Sequence, residues 1–501
     1  MRRTARLAAA CVLAVLLPLT ACTDGPPSTE PGPGRTGGSR GDIAWGECQA
    51  SGGAPESLTV ECGTVTVPQD WNTPDDGRTF DIAVMRIRSD NQRDRIGSVV
   101  VNFGGPGGSG LDLLPQFAPR LLGLMERFDV VTFDPRGVGQ SAPVKCISDA
   151  DLDASFGFQP DPVSDAAFQK LVGLSRRIAE GCAAEYGEQL TLFSTEQTAR
   201  DIDAIRQALG EEKLDYLGYS YGTLLGAVYA HLFPQSIRAM VLDGAVDPVE
   251  SPIESSEGQA MGFERALNNF DAWCAANADE CPIAPNARET IVEAINDADR
   301  RPVTGMGGRQ ATSGWVFYSV VSALYSRPTW PYLARGIADL QDGDPALAFL
   351  LADLYADRRP DGTYGNMFDA FNTIGCVDSD DYPTVEEIRT LQEQWREKYP
   401  LFGGPLAVGL LTCSLWPAKK DPYPVGPATG APPILVIGTL GDPATPYEST
   451  AALAELLGTG VVLTWEGEGH TAYPETRCIR EAVDRYFIDL TVPAEGTRCP
   501  A

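Results

Sequence analysis

Short apolar segments recur along the chain and are bounded by Gly, Pro or Asp. They are TFDIAVMRI (79–87), SVVVNF (98–103), DVVTF (129–133), LDYLG (214–218), AMVLD (239–243), PILVIG (433–438) and VVLTW (461–465). The first alternates like a strand with one polar face. The others are nearly continuous runs of Val, Ile and Leu, which is typical of strands buried on both faces of a parallel sheet.

Helical patterns lie between several of these segments. In STEQTARDIDAIRQALG (194–210), Ser194 and Gln197 have the spacing of a capping box, three apolar residues share one face, and Gly210 ends the pattern. Alternating buried strands and helices predict an α/β fold with a mostly parallel sheet.

The rhythm changes between Pro248 and roughly Pro424, where the segments are mostly helical and no comparable strand runs occur. We therefore expect an inserted helical cap. The predicted organisation is a signal peptide (1–21), a lipidated cysteine and flexible tether (22–44), the first part of the α/β core (45–248), the cap (249–425) and the second part of the core (426–501).

The first residues have the pattern of an export signal. MRRTAR is followed by an apolar run from Leu7 to Leu19, which is too short to cross a bilayer, and by small residues before Cys22. This arrangement resembles a bacterial lipoprotein processing site, so we expect lipid on Cys22 and an extracytoplasmic protein anchored to the cell membrane. The alternative is plain secretion with Cys22 incidental. The Pro-, Gly- and Ser-rich stretch that follows is typical of a flexible tether.

The charge balance excludes one class of partner. The formal net charge is −29, and loss of the three signal-peptide arginines makes it more negative still. With no basic cluster to compensate, the chain is not expected to bind nucleic acid. The acidity favours cations such as free amino termini.

Twelve cysteines occur, and ten remain once Cys11 in the signal and Cys22 are set aside. An even number in an exported chain predicts disulfides. No C-x-x-C pair exists and neither histidine lies near a metal-like cysteine spacing, so no metal site is expected. Spacing does not determine the connectivity, but we expect neighbours to pair: Cys48–Cys62, Cys146–Cys182, Cys274–Cys281, Cys376–Cys413 and Cys478–Cys499.

Ser220 lies in a G-x-S-x-G frame within DYLGYSYGTLLG. In a chain this rich in glycine the frame arises by chance roughly 0.3 times, and it does recur as GGSRG (37–41) with no strand before it. Ser220 instead follows an apolar strand and precedes a helical run, with Gly218 and Gly222 relieving crowding in the turn. That context predicts a nucleophilic serine.

A serine nucleophile needs a base, and the chain has two histidines. If a helix begins near Tyr221, His231 lies about 16 Å along its axis, too far to serve. We expect His231 to be structural, meeting carbonyls near the helix end. His470 ends VVLTWEGEGH in a Gly-rich loop after a strand and is therefore the predicted base.

The third group of such a site is normally a carboxylate that orients the imidazole. In α/β-hydrolases the order is nucleophile, acid, histidine, which favours Asp442 in PILVIGTLGDPATP. Asp243 and Asp247 in VLDGAVDP are alternatives after an earlier strand. Thr445 is expected to add a hydroxyl hydrogen bond to the acid or the base.

The glycine run VNFGGPGGSG has more than one interpretation. Gly105, Gly107 and Gly110 match G-x-G-x-x-G, with Asp134 ending the next strand, so a dinucleotide site is one alternative. Pro106 in the turn and the expected exported location argue against it. A second alternative is a tight turn with no catalytic part. We favour an oxyanion hole built from the N–H groups of Gly105 and Tyr221.

Several motifs together resemble a known family. GGPGGSG, FDPRGVGQS (133–141), GYSYGT, VLDGAVDP, GDPATP and GEGH are similar to segments of exported tripeptidyl aminopeptidases of actinobacteria. These are α/β-hydrolases related to proline iminopeptidases and include mycobacterial cell-envelope serine proteases. The resemblance runs from about Trp45 to Cys499.

The resemblance implies an α/β-hydrolase fold with an inserted cap. It also implies the catalytic residues Ser220, Asp442 and His470 and cleavage of short peptides from a free amino terminus. Proline iminopeptidases usually have His before G-G-P-G, whereas Phe103 stands here. This departure favours the tripeptidyl branch.

An aminopeptidase that releases tripeptides must hold the substrate ammonium at a fixed distance from the serine, most simply with a carboxylate of the cap. The candidates are Asp378, Asp380 and Asp381 in GCVDSDDYP, where a Cys376 disulfide would fix the loop. We favour Asp378, although solvation of the surface explains most such acids.

The sequence thus predicts a lipid-anchored serine peptidase without metal or organic cofactor that acts on peptides or proteins with a free N-terminus. Two alternatives remain: a carboxylesterase for envelope lipids that uses the same triad, and a binding module on an inactive hydrolase scaffold.

Overall fold

The computed structural model of the chain describes residues 43–48, 57–90 and 92–501. The predicted signal peptide, Cys22 and all but the last two residues of the predicted tether lie outside this range.

Nine of the strands form one central sheet, and two short strands form a separate hairpin. The strands are β1 (Leu58–Pro68), β2 (Thr79–Ser89), β3 (Gly97–Asn102), β4 (Phe128–Phe133), β5 (Leu214–Tyr219), β6 (Ile237–Asp243), β7 (Val303–Thr304), β8 (Gln310–Ala311), β9 (Ile434–Gly441), β10 (Gly460–Glu468) and β11 (Arg498–Pro500).

The order in the sheet is β1-β2-β4-β3-β5-β6-β9-β10-β11. β1 pairs antiparallel with β2, β2 pairs antiparallel with β4, and the remaining neighbours are parallel. Every apolar run identified in the sequence lies in a strand, and all residues of β3, β4 and β5 are buried. The predicted α/β fold with a mostly parallel sheet is confirmed.

Helices cover both faces of the sheet and fill the connection between β6 and β9. They are α1 (Gly110–Phe117), α2 (Leu122–Met125), α3 (Asp149–Phe156), α4 (Asp165–Tyr186), α5 (Thr195–Ala208), α6 (Tyr221–Leu232), α7 (Pro252–Ala276), α8 (Ala287–Arg300), α9 (Ser313–Leu324), α10 (Trp330–Gln341), α11 (Ala346–Ala356), α12 (Met367–Val377), α13 (Val385–Lys398), α14 (Gly403–Gly409), α15 (Leu411–Ser414), α16 (Glu448–Leu457) and α17 (Arg477–Asp489).

The alternation of side chains along β3 shows how the two faces are used. Val100 packs in a cluster with residues of α5, α6 and α16, whereas Val99 and Val101 pack in a cluster with residues of α1, α2 and α17. The helices thus form a layer on each side, as expected for strands that are apolar on both faces.

The helices α7 to α15 form a third hydrophobic cluster above the sheet. β6 and β9 pair in register, Leu242 with Val436, so the chain leaves the sheet after β6 and returns beside it. α3 and α4 share this third cluster through residues such as Leu152 and Phe168, although the predicted boundaries assign them to the core. Residues 42–501 form one compact unit.

Helix α5 shows how tertiary contacts alter a local prediction. The Ser194 side chain accepts a hydrogen bond from the Gln197 N–H and caps the helix as predicted. The Gln197 side chain does not complete the capping box, because its oxygen accepts the Trp71 N–H at 2.8 Å. The helix end agrees with the prediction, since Gly210 has φ +74°.

Candidate active site

Ser220 occupies the turn between β5 and α6 with φ +56° and ψ −125°, an unusual conformation for a residue with a side chain. The turn is held because the Ser220 N–H donates to the Asp243 carbonyl at 2.9 Å. A methyl group at Gly218 would lie 2.3 Å from the Gly222 carbonyl oxygen, and one at Gly222 would lie 2.8 Å from the Asn102 carbonyl oxygen. Both glycines are therefore required, and the strand, turn and helix expected around Ser220 are present.

His470 and Asp442 lie together although 28 residues separate them in sequence. The imidazole Nδ1 lies 2.9 and 3.0 Å from the two Asp442 carboxylate oxygens. Asp442 accepts Nδ1–H, so this pair leaves the second ring nitrogen, Nε2, available to accept a proton. The Asp442 side chain is fully buried, and that of His470 is 12% exposed.

The Asp442 carboxylate is fixed by further donors. Its oxygens accept the Ala444 and Thr445 N–H groups at 2.9 Å, the Thr445 hydroxyl at 3.0 Å and the Thr471 N–H at 3.2 Å. The Thr445 hydroxyl oxygen also lies 3.3 Å from His470 Nδ1. Thr445 therefore contacts both groups, as the sequence led us to expect.

Two opposing effects act on His470. Burial lowers the pKa of its imidazole, but the charge and hydrogen bond of Asp442, with a further contribution from Asp243, raise it more, so the net pKa shift is upward. The negative charges around the ring thus stabilise its protonated, imidazolium form.

The alternative acids have other partners. Both Asp243 oxygens accept the Ala472 N–H at 3.0 Å, and one also accepts the Tyr473 N–H at 2.7 Å. Asp243 thereby anchors the backbone immediately after His470. The Asp247 side chain accepts the backbone N–H of Val249, two residues later, at 3.1 Å. Neither carboxylate is hydrogen-bonded to the imidazole.

The glycine loop after β3 lies against the nucleophile. A methyl group at Gly104 would be 2.5 Å from the Tyr219 carbonyl oxygen and 3.0 Å from Ser220 Cβ. The Gly104 N–H donates to the Asn102 side chain at 3.0 Å. The N–H groups of Gly105 and Tyr221 have no acceptor among the described residues, which is the state an oxyanion hole requires.

Asp134, on which the dinucleotide alternative depends, is fully buried. Its oxygens accept the Ser109 hydroxyl at 2.8 Å and the N–H groups of Leu111 and Gln140 at 3.1 and 2.8 Å. Because these bonds secure the glycine loop, the carboxylate has a structural role and is not presented to a ribose.

Asp378 follows α12 and is 8% exposed. Its oxygens accept the Thr195 N–H at 2.8 Å and the Thr195 hydroxyl at 2.5 Å. The Thr195 oxygen in turn lies 2.5 Å from the Tyr221 hydroxyl. Burial raises the pKa of Asp378 to about 7, and the Asp421 charge adds to the shift. Asp380 and Asp381, by contrast, are exposed.

The link from Asp378 through Thr195 to the residue after the nucleophile was not visible in the sequence. The three residues come from separate segments, and no local pattern joins them. The other histidine behaves as expected: His231 lies in the last turn of α6, where its Nδ1 is 3.1 Å from the Pro427 carbonyl oxygen.

The structure contains the five disulfides of the neighbour pairing, Cys48–Cys62, Cys146–Cys182, Cys274–Cys281, Cys376–Cys413 and Cys478–Cys499. Disulfides in this number are typical of a protein located outside the cytoplasm. No helix within the described residues has the length and apolar character needed to span a membrane.

The chain is similar to several known proteins along most of its length. Residues 97–284 match the family model of the alpha/beta hydrolase fold, and residues 399–499 match that of TAP-like protein. Serine protease Hip1 of Mycobacterium tuberculosis (strain H37Rv) is 38% identical over 91% of this chain and 91% of its own length. Carboxylesterase B of the same strain is 37% identical over 96% of this chain and 95% of its own length. Tripeptidyl aminopeptidase of Streptomyces lividans is 32% identical over 92% and 87%.

The fold and these relatives define the class of protein: the chain is a serine hydrolase with an α/β-hydrolase fold. More narrowly, it belongs to the tripeptidyl aminopeptidase family, which includes the Hip1 serine protease. The family predicted from the sequence motifs is confirmed.

Proposed function

We propose that this protein is a serine exopeptidase that cleaves peptides from a free N-terminus and releases tripeptides through an acyl-enzyme. The observation that carries the proposal is a buried carboxylate, Asp378, linked by hydrogen bonds to the residue after the proposed nucleophile and without a cationic partner among the described residues. The names of the Hip1 and Streptomyces relatives support peptide substrates.

The chemistry follows from the three groups. His470 Nε2 takes the Ser220 hydroxyl proton as the oxygen attacks the scissile carbonyl, and the N–H groups of Gly105 and Tyr221 stabilise the oxyanion. His470 then gives that proton to the departing amine as the carbon–nitrogen bond breaks. Water, deprotonated by the same nitrogen, then attacks the ester carbonyl. The bond between the acyl carbon and the Ser220 oxygen breaks, His470 returns the proton to that oxygen, and the tripeptide leaves with a free carboxyl group. Asp442 holds the ring throughout.

Asp378 is proposed to bind the substrate ammonium. Each carboxylate oxygen has two acceptor positions, and Thr195 uses one on each oxygen, so acceptor capacity remains. An approaching cation offsets the burial that disfavours the charged carboxylate. Two hydrogen bonds of 2.5 Å, both made by the Thr195 hydroxyl, connect the Tyr221 side chain to Asp378. An extended tripeptide spans about 10 Å, so the proposal requires a separation of about this length between Ser220 and this carboxylate.

The helical segment 249–425 is proposed to act as the cap over this site. α12 supports the assignment because it contacts the oxyanion loop directly. A methyl group at Gly107 would lie 2.4 Å from the Met367 carbonyl oxygen. Asn366, immediately before α12, donates to the Gly137 and Val144 carbonyls at 2.8 and 3.0 Å and accepts the Gly139 N–H at 3.0 Å.

The first test uses Ala-Ala-Pro and Ala-Ala-Ala amides of a chromogenic amine, their N-acetylated forms and a p-nitrophenyl ester. We expect turnover of the free-amine peptides by the wild type and none by Ser220→Ala. Equal turnover of acetylated and free peptides would contradict the aminopeptidase assignment while retaining the nucleophile.

The second test addresses Asp378. Asp378→Asn should lower kcat/KM for free-amine peptides about 30-fold or more, because a charge-assisted hydrogen bond contributes roughly 1.5–3 kcal/mol and its loss leaves the ammonium buried. Asp380→Asn, an exposed acid two residues away, is the matched control and should keep wild-type values. If both variants lose activity equally, Asp378 does not bind the amine.

A second candidate function is a carboxylesterase, which is favoured by the name of the Mycobacterium tuberculosis relative that matches most of the chain. An esterase needs no ammonium acceptor. Rapid hydrolysis of the ester together with no dependence on a free amine or on Asp378 would therefore favour it over the peptidase.

We also propose that lipid on Cys22 anchors the mature protein to the cell membrane. The support is the sequence before this cysteine alone. Cys22→Ala should move the protein from the membrane fraction to the soluble extracytoplasmic fraction. Unchanged membrane association in this variant would exclude the anchor.

A further inference from the structure

We propose that the cavity beside His470 binds the part of the peptide that follows the scissile bond, and that Arg327 holds the terminal carboxylate of a short leaving peptide. This inference rests on the proposed peptidase function and adds the second half of its substrate-binding site.

The cavity has a volume of about 400 Å³ and opens to solvent. Its walls include Trp273 of α7, the segment from Tyr325 to Pro331 at the junction of α9 and α10, and residues of β10 and of the loop that carries His470. Glu280, Ala501 and three residues that follow His470 complete the lining. The volume lies within the range of roughly 300–1,000 Å³ found for sites that bind small ligands.

The sheet order indicates which half of the substrate reaches this cavity. The proposed oxyanion donors follow β3 and β5, whereas His470 follows β10, three places beyond β5 in the sheet. The carbonyl oxygen of the scissile bond therefore points toward β3. The leaving nitrogen, which takes its proton from His470, lies toward β10. The chain that continues from that nitrogen is directed toward the edge formed by β10 and β11.

The acyl half lies on the other side. Asp378 contacts α5 and Tyr221, and α12 packs against the loop after β3. The proposed ammonium site therefore adjoins elements next to β3, whereas the cavity beside His470 adjoins β10.

The segment that forms the outer wall is hydrogen-bonded to the backbone of His470. The backbone N–H of His470 donates to the Tyr325 carbonyl at 2.7 Å, and Ser326 forms an antiparallel bridge with Gly469. The Tyr325 ring meets the imidazole edge to face at 5.3 Å between centroids. A leaving group in the cavity is therefore held in a constant position relative to the proton donor.

Arg327 provides the charge complementarity. It is exposed, and its guanidinium makes no ion pair or hydrogen bond within the part of the chain that the structure describes. Glu280, Glu468 and Glu475 also line the cavity, together with Ala501. Glu468 accepts the Asn269 amide at 3.0 Å, and the charge of Arg327 partly offsets the effect of burial on the Glu468 pKa; Glu475 bonds to Arg120, and Glu280 is exposed. A guanidinium binds carboxylate through two parallel N–H donors, so a peptide terminus fits it.

The test compares substrates that differ only after the scissile bond. Ala-Ala-Ala is followed either by a chromogenic amine or by one to four serines, and each serine peptide is prepared with a free carboxylate and with a carboxamide. Initial rates of tripeptide release are measured for wild type, Arg327→Gln and Arg327→Glu. The matched control is Arg93→Gln. Arg93 is exposed and precedes the amino end of β3, whereas Ser220 and His470 follow the carboxyl ends of their strands.

We expect the wild type to prefer the carboxylate over the carboxamide at one peptide length by about tenfold in kcat/KM, the size of one charge-assisted hydrogen bond at a solvent-accessible site. Arg327→Gln should remove this preference, Arg327→Glu should reverse it, and Arg93→Gln should retain it. The loss on the best serine peptide should exceed the loss on the chromogenic amide by the same factor.

The proposal is overturned if the wild type treats carboxylate and carboxamide alike at every length, or if both Arg327 variants lose the same fraction of activity on all substrates. Failure of the peptidase assignment gives a different result. N-acetylated and free peptides would then react equally, whatever follows the scissile bond.

Discussion

The replacement Asp243→Asn tests whether a carboxylate that does not touch the imidazole nevertheless positions it. Asp243 is fully buried and accepts the Ala472 and Tyr473 N–H groups at 2.7–3.0 Å. These two residues follow His470 closely, so the hydrogen bonds fix the backbone of the loop that carries the imidazole.

The expected losses of stability and activity in Asp243→Asn follow from the contacts of this side chain. Asparagine can accept both N–H groups with its one oxygen, but it places an amide donor where Asp243 has an acceptor 3.0 Å from the Ala472 nitrogen. Hydrogen bonds to a charged oxygen are roughly twice as strong as neutral ones. We therefore expect a loss of about 2 kcal/mol in unfolding free energy. Because small displacements of a reacting group cost up to about 100-fold, kcat/KM should fall roughly 10- to 100-fold.

The pH dependence separates this role from simple destabilisation. Asp243 helps to raise the pKa of His470, so its neutralisation lowers that pKa. The acid limb of kcat/KM should consequently move to lower pH in the variant.

The matched control is Asp215→Asn. Asp215 lies near the amino end of β5, away from the site, and is paired with Arg238 at 2.8 Å. Burial raises the pKa of Asp215 to about 7, as it does the pKa of Asp243. Urea unfolding and pH–rate profiles should show both variants destabilised but only Asp243→Asn shifted in pH. An unshifted profile with wild-type kcat/KM would refute the positioning role.

Three further outcomes are expected. Asp442→Asn should lower kcat about 10⁴-fold without unfolding the protein, because the neutral amide no longer selects the reactive tautomer of His470. His231→Asn should retain activity. Equal losses of activity in the two variants, measured in kinetic assays, would be inconsistent with these roles. In the wild type, the fall of kcat/KM toward acidic pH should have its midpoint above 6.5, the ordinary pKa of histidine, because the base must be neutral and the pKa of His470 is raised. A midpoint below 6.5 would contradict the effect of Asp442. Joint replacement of Cys376 and Cys413 by serine should reduce the unfolding free energy by about 4 kcal/mol, because the disulfide closes a loop of 37 residues. Urea unfolding measures this loss. An unchanged midpoint of the urea transition would argue against the loop-closure effect.

Local sequence was sufficient where one segment makes the structure. The turn at Ser220 could be predicted because a buried strand, two glycines and a helix are all consecutive there, and the structure has each of them. His470 followed from the scarcity of histidines and the distance of His231 along its helix. The disulfide partners were anticipated from proximity in sequence.

The acid could not be chosen from local patterns alone. Asp243 and Asp442 both come at or just after the carboxyl ends of parallel strands, β6 and β9, that are neighbours in the sheet. Only the folded loop distinguishes them, since Asp243 bonds to the backbone after His470 and Asp442 bonds to the ring.

What the sequence determined by itself was therefore the set of buried strands and the turn at Ser220, because burial and backbone conformation leave a local signature. Tertiary structure decided the rest. The chain from Asp378 through Thr195 to Tyr221, and the cavity between Trp273, Arg327 and His470, each join segments far apart in sequence. Such contacts depend on how helices pack above the sheet, which no periodicity of one segment encodes.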